Sequence, residues 1–145
     1  EIARVLKPGG HLAAAVWSAP EKNPYLRIPM DVIKQLIELP PPDPQAPGIF
    51  RLAKSGDLMG MIQQAGLSSL SEEEFVADVQ LTSGREYFSS LMEIAAPIQN
   101  LFAKLSPSQQ AEAEKRIVQS VEQYRRGEAV SLPIAARFVA AVKPT

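Results

Sequence analysis

The first ten residues confine what can follow them. Ile2, Val5 and Leu6 recur at helical spacing, and Lys7-Pro8-Gly9-Gly10 then ends the helix. Proline cannot continue it, and glycine turns the chain at little steric cost. Seven largely apolar residues, His11 to Trp17 (HLAAAVW), come straight after. A run so short, apolar at odd and even positions alike, predicts a strand buried on both faces. A helix that stops at a turn and leads into such a strand is a unit of an α/β fold.

The rest of the chain repeats that alternation. Asn23 and Pro24 have the residue types of an N-cap and first helical position. Val32, Ile33, Leu36, Ile37 and Leu39 continue as a helical stripe, kinked or restarted at Pro29. Residues 39–49 read as a linker, since five of the nine residues from Pro40 to Gly48 are proline, which excludes helix or central strand. Ser55 opens another helix, with Leu58, Met61, Ile62 and Ala65 on its buried face and Gly66 as its stop. Glu72 to Leu81 alternates like a strand. Ser83-Gly84-Arg85-Glu86 reads as a capping box for a helix that Pro97 interrupts. Ser106-Pro107-Ser108-Gln109 starts the longest helix, striped by Ala113, Ile117, Val121 and Tyr124. Leu132 to Val142 (LPIAARFVAAV) reads as the last strand.

Composition removes several classes of function. The 145 residues carry a net charge of −1, so bulk electrostatics favour neither nucleic acid nor an anionic membrane. There is no cysteine and one histidine, His11, which excludes disulfides, thiolate chemistry and histidine pairs. No apolar run approaches the roughly 20 residues needed to span a bilayer. The acidic run Glu72-Glu73-Glu74 is no metal site, because consecutive strand residues face opposite sides; it reads as a solvated strand start. Residues 57–79 could also be read as a helix-turn-helix, but the second helix would present Glu72, Glu73, Glu74 and Asp78 to phosphates.

One segment carries a resemblance. EIARVLKPGGHLAAAVW, through Glu1, Arg4, Leu6, Lys7, Pro8, Gly9, Gly10 and Leu12, resembles the stretch leading into the fifth strand of class I S-adenosylmethionine-dependent methyltransferases. FRLAKSGDLMGMIQQAGL, residues 50–67, is similar to their helix before the sixth strand. Small-molecule methyltransferases of the ubiquinone- and menaquinone-biosynthesis type are nearest in style. The resemblance implies the C-terminal half of a Rossmann-like fold. It implies a three-stranded mixed sheet, the last strand antiparallel in the middle, with helices on both faces. It also marks an absence, since none of the eight glycines forms the family's Gly-rich loop after a strand.

The expectation is therefore a C-terminal portion, residues 1–145, of a cytoplasmic methyltransferase that takes a small-molecule acceptor. S-adenosylmethionine would be bound by the intact protein, and neither it nor a metal by these residues alone. Ligands of open α/β sheets lie beyond the carboxyl ends of strands, which nominates Trp17, Ser18 and Tyr25 for the acceptor, with Phe50 and Arg51 near a lid. No catalytic residue is assigned, and His11 sits at the wrong end of its strand. The helical stretch 83–130, with Tyr87, Phe88, Met92 and Phe102, would cap the substrate. The alternative is a non-catalytic oligomerisation or binding module of the same fold. In either case the unpaired edge of the first strand predicts a homodimer or a domain swap.

Overall fold

The computed structural model describes residues 1–41 and 46–145. Among them the chain runs α1 (Ile2–Val5), β1 (His11–Trp17), a 3-10 turn (Pro20–Lys22), α2 (Pro24–Leu36), α3 (Asp57–Gln64), β2 (Ser68–Leu81), α4 (Gly84–Ile94), α5 (Ala96–Phe102), α6 (Pro107–Glu122), β3 (Arg125–Arg126) and β4 (Ala129–Val142). Of the proline-rich stretch, residues 42–45 lie outside the described residues, and those flanking them are in neither helix nor strand. The segment read as a helix-turn-helix has strand β2 where its second helix would be.

The strands are ordered β1-β4-β2, with β3 folded back on β4. β1 and β4 run antiparallel in unbroken register from His11 opposite Val142 to Trp17 opposite Ala136. β4 thus lies in the middle, as expected, but the sheet is antiparallel and four-stranded rather than mixed and three-stranded. Once a reversed strand separates its neighbours, no parallel pair remains between them. The fourth strand comes from Arg126-Gly127-Glu128-Ala129, where Gly127 at φ 63 is the only turn residue with positive φ, fitting a type II′ hairpin.

The chain divides into two compact units. The first comprises Glu1–Asn23, Asp43–Ala77 and Ala135–Thr145, the second Pro24–Pro42 and Asp78–Ile134. The core of the first is Ile62, Leu67, Val139 and Ala141, packed by Ala3, Leu6, Leu12, Leu58 and Met59. There α1 and α3 cover the side of the sheet carrying Leu12, Val139 and Ala141. On the other side of this unit Ala13, Ala15 and Phe138 are exposed, so helices on both faces are not what its sheet shows. Lys143 closes the short α1 by donating to the carbonyls of Ala3 and Leu6, both at 2.8 Å.

The second unit is built on α2, α4 and α6, with Val130 and Leu132 of β4 in its core. α6 starts with the full reciprocal capping box of Ser106 and Gln109. In α4 the box is only half made: Ser83 caps Glu86, but the Glu86 carboxylate turns back to Thr82. Gly84 is there for space, since a Cβ would stand 2.6 Å from the Val118 carbonyl oxygen. Tyr87 is fully buried in this core, while Phe88 packs on Phe102 with ring centroids 5.6 Å apart.

Pro29 sits inside α2 without ending it. A helical proline has no N–H for the carbonyl four residues earlier, here that of Tyr25. The Tyr87 hydroxyl fills the vacancy, donating to the Tyr25 carbonyl at 2.5 Å, while the two rings meet edge-on at 5.1 Å. Burial pushes the Tyr87 phenol well above its ordinary pKa, so it remains a donor throughout the working range of pH. Tyr87→Phe is expected to cost about 1–3 kcal/mol in urea unfolding, the cost of an orphaned buried acceptor. In a Pro29→Ala background the restored N–H serves Tyr25, and the same change should cost distinctly less.

Candidate functional site

At the carboxyl end of β1 the chain turns under its own sheet. Ser18 and Asn23 are both fully buried there. Ser18 extends the ladder by one bond, its N–H donating to the Ala135 carbonyl at 2.9 Å. The Asn23 amide donates to the carbonyls of Ser18 (3.1 Å), Ala19 (3.1 Å) and Ala135 (3.0 Å), and its oxygen accepts the Ala135 N–H at 2.8 Å. Pro24 does begin α2. The Asn23 side chain, expected as its cap, instead locks the turn onto β4, where an amide can serve both a donor and an acceptor of one residue.

A charged cluster closes over this turn. The Ser18 hydroxyl donates to Glu74, and Lys22 reaches the same carboxylate at 2.5 Å. The Arg137 guanidinium lies 3.3 Å from both Glu72 and Glu74 and 3.4 Å from the Ser18 hydroxyl. Glu72 also accepts from the Ser55 hydroxyl at 2.9 Å and the Gly56 N–H at 3.0 Å. Only 14% of the Arg137 side chain and 15% of Glu72 are exposed, so these charges are largely out of water. The Gly56 N–H, then Ser55 and Arg137, hold the Glu72 carboxyl below its ordinary pKa. Lys22, followed by Ser18 and the charge of Arg137, does the same for Glu74.

The acidic run therefore does more than meet solvent. Glu72 and Glu74 are two apart in β2, share a side and converge on a cation. That cation is a guanidinium, and among the described residues no group of three or more His, Cys, Asp or Glu could hold a metal ion. Neither carboxylate is set up as a general base, because both are held ionised by donors that already occupy them. What the arrangement can do is fix the backbone at the end of β1. Arg137 and Lys22 were not singled out from the sequence, although a lone arginine inside the apolar LPIAARFVAAV was the available signal.

The sequence-nominated residues fall in different places. Trp17 is half-buried, opposite Ala136, and leads directly into Ser18. Phe50 and Arg51 lie in a turn closed by Arg51 N–H to Gly48 and Ala53 N–H to Phe50, both 3.1 Å, with the Arg51 side chain exposed. Four residues on, the same segment is fastened to Glu72 through Ser55 and Gly56. Tyr25 belongs to the second unit, against Tyr87. Of the five, only Ser18 enters the cluster among the described contacts.

The residues present do not fit S-adenosylmethionine. A cradle for its methionine end needs glycines in a turn from strand to helix. The turn after β1 has none, and after β2 the only glycine is Gly84, whose open side is filled by the backbone of α6. Gly56 precedes α3, but its N–H is bound by Glu72.

No protein-family model matches the chain, and no curated protein matches it significantly. Among solved structures, it is similar to a "putative methyltransferase" of Bacillus halodurans C-125, at 16% identity and a TM-score of 0.44. The match covers 99% of this chain and 60% of that one. These values are too low to carry a fold or an activity across, and the chain spans little more than half of that protein's length.

Removing the guanidinium while keeping its apolar stem, as in Arg137→Met, leaves two partly buried carboxylates without their shared cation. Urea denaturation should show a loss of about 2–4 kcal/mol, below the full cost of breaking a fully buried pair. Glu72 and Glu74 have folded pKa values below the unfolded one. Their stabilisation is thus complete above the ordinary carboxylate pKa and lost as pH falls through the folded values. In Arg137→Met those folded values rise, and the acid-unfolding midpoint followed by circular dichroism should move to higher pH.

Proposed function

We propose that these residues are the acceptor-side portion of a cytoplasmic S-adenosylmethionine-dependent methyltransferase acting on a small molecule, of the kind found in ubiquinone and menaquinone biosynthesis. The observation that carries the reading is the position of β4. The last strand of the chain lies between β1 and β2, as the resemblance carried by Glu1 to Gly10 implies; chain order alone would have set β1 beside β2. Ligands of open α/β sheets bind beyond the carboxyl ends of strands, and at that end of β1 the turn is locked by Asn23 and the Arg137 cluster.

In this reading Trp17 offers the acceptor a ring face and Ser18 holds the backbone behind it. Phe50 and Arg51, in the same compact unit as Trp17, are the further acceptor contacts. The donor's sulfonium is held by residues outside this chain, so no step of methyl transfer is assigned to it. Its part is orientation, on which in-line transfer at near-attack distance depends. A binding or oligomerisation module is a second reading, favoured by the exposed Ala13 and Ala15 on one face of β1.

Trp17 is the only tryptophan, so its emission reports on the proposed acceptor side alone. Small aromatic and prenylated acceptors are expected to shift it saturably, and Ser18→Ala to weaken that response, while calorimetry with S-adenosylmethionine gives no binding heat. Micromolar S-adenosylmethionine binding would place the donor site within this chain and end the proposal. A flat Trp17 response across the acceptor panel would favour the module.

A further inference from the structure

Residues 48–56, which carry Phe50 and Arg51, lead into α3 with neither helix nor strand of their own. Their backbone bonds are local and follow one another as turns. The Arg51 N–H donates to Gly48 and the Ala53 N–H to Phe50, both at 3.1 Å, and the Asp57 N–H to Lys54 at 3.2 Å. Such bonds shape the segment without attaching it to anything else. Burial attaches it only weakly. Within the segment Ala53 alone is buried, which is a single methyl group, and Ile49 is 57% exposed.

Attachment comes instead from one side chain of β2. The Glu72 carboxylate accepts the Ser55 hydroxyl at 2.9 Å and the Gly56 N–H at 3.0 Å. Among the described contacts, no other hydrogen bond ties residues 48–56 to the sheet. Both bonds fall at the end next to α3, where Gly56 stands at φ 87, a conformation that glycine adopts without strain. Glu72 itself does not depend on them for its place, because Arg137 Nη1 lies 3.3 Å away and both side chains are largely buried.

We propose that residues 48–56 form a strap that opens and closes by local unfolding, with Glu72 as its latch and Gly56 as its hinge. Segments with few buried apolar contacts open at a fraction of the free energy of global unfolding. Here opening breaks the bonds to one carboxylate and withdraws one methyl group. Arg137 keeps Glu72 where it is when the strap leaves, so closing returns Ser55 and Gly56 to a fixed target. Glu72 is thereby a positioning residue for Phe50 and Arg51. Admission of an acceptor by the strap rests on the acceptor-side reading; the latch does not.

Arg51 and Lys54 are exposed and lie within the strap, so trypsin reports its opening. In limited digestion of the full chain, with fragments identified by mass spectrometry, Glu72→Ala is expected to speed cleavage after Arg51 and Lys54 by about tenfold or more, the effect of losing two hydrogen bonds to a charged group. Cleavage after the exposed Arg85 and Lys104 of the second unit should keep its rate. Ser55→Ala removes one of the two bonds and leaves Glu72 on Gly56 and Arg137, so it should speed strap cleavage by a smaller factor. Glu73→Ala, on the opposite side of β2, should not speed it. Hydrogen exchange in the peptide spanning residues 48–56 should follow the same order. Strap cleavage in Glu72→Ala no faster than in the unmodified chain would overturn the proposal. So would cleavage faster at all four sites alike, since that is a general loss of stability. Neither result bears on the Trp17 titration with acceptors, which tests the acceptor-side reading separately.

Discussion

A central strand must have both rows of its backbone groups paired, and β4 meets that requirement by lying between β1 and β2. Everything in the first unit is arranged around it. β1 pairs along seven residues, Ser18 adds one more bond, and Asn23 takes over the Ala135 N–H. Lys143, just past the end of β4, reaches back to α1, so a four-residue helix too short to hold itself is held by the strand's last turn. Loss of β4 would therefore release β1, α1 and the turn together.

The second unit solves a different problem. Proline inside a helix removes a donor, and a buried carbonyl left without one costs about as much as a lost hydrogen bond. Tyr87 meets that cost from another helix, and its ring packs against Tyr25 in the same act. Pro29 is thus tolerated because a side chain distant in sequence supplies what the backbone cannot. Such a compensation leaves a trace in sequence only as an unexplained proline and a buried tyrosine.

That difference marks how much was legible. β1 was readable to the residue, because Gly-Gly bounds it and its apolar run is short. The capping box of α6 was readable too, since Ser106 and Gln109 act locally. β2 begins at Ser68, four residues before the expected start, because Ser68-Ser69-Leu70-Ser71 shows no alternation and takes its strand form from pairing. β4 begins at Ala129, ahead of the expected Leu132, because Gly127 makes a hairpin that pairs the residues before it, β3, with the start of β4. In the cluster, Ser18 was legible from the end-of-strand rule. Arg137, Lys22, Glu72 and Glu74 were not, because what joins them is a register between strands more than 60 positions apart for Arg137 and Glu74.

The cluster's energetics bear on its purpose. Taking the Arg137 guanidinium and the Glu72 carboxylate largely out of water costs several kcal/mol per ion, which mutual attraction only roughly repays. Apolar residues at positions 72 and 137 would serve stability about as well. They would not serve direction. A guanidinium fixed by two carboxylates holds Ser18 and Lys22 to one geometry, and Ser55 and Gly56 bind the segment that carries Phe50 and Arg51 to the same carboxylate pair. Polar contacts of this kind fix orientation where apolar packing tolerates sliding. At the carboxyl end of β1 they hold the turn from Ser18 to Asn23 against β4 and β2 in one geometry, which contacts between apolar side chains alone would leave free to shift.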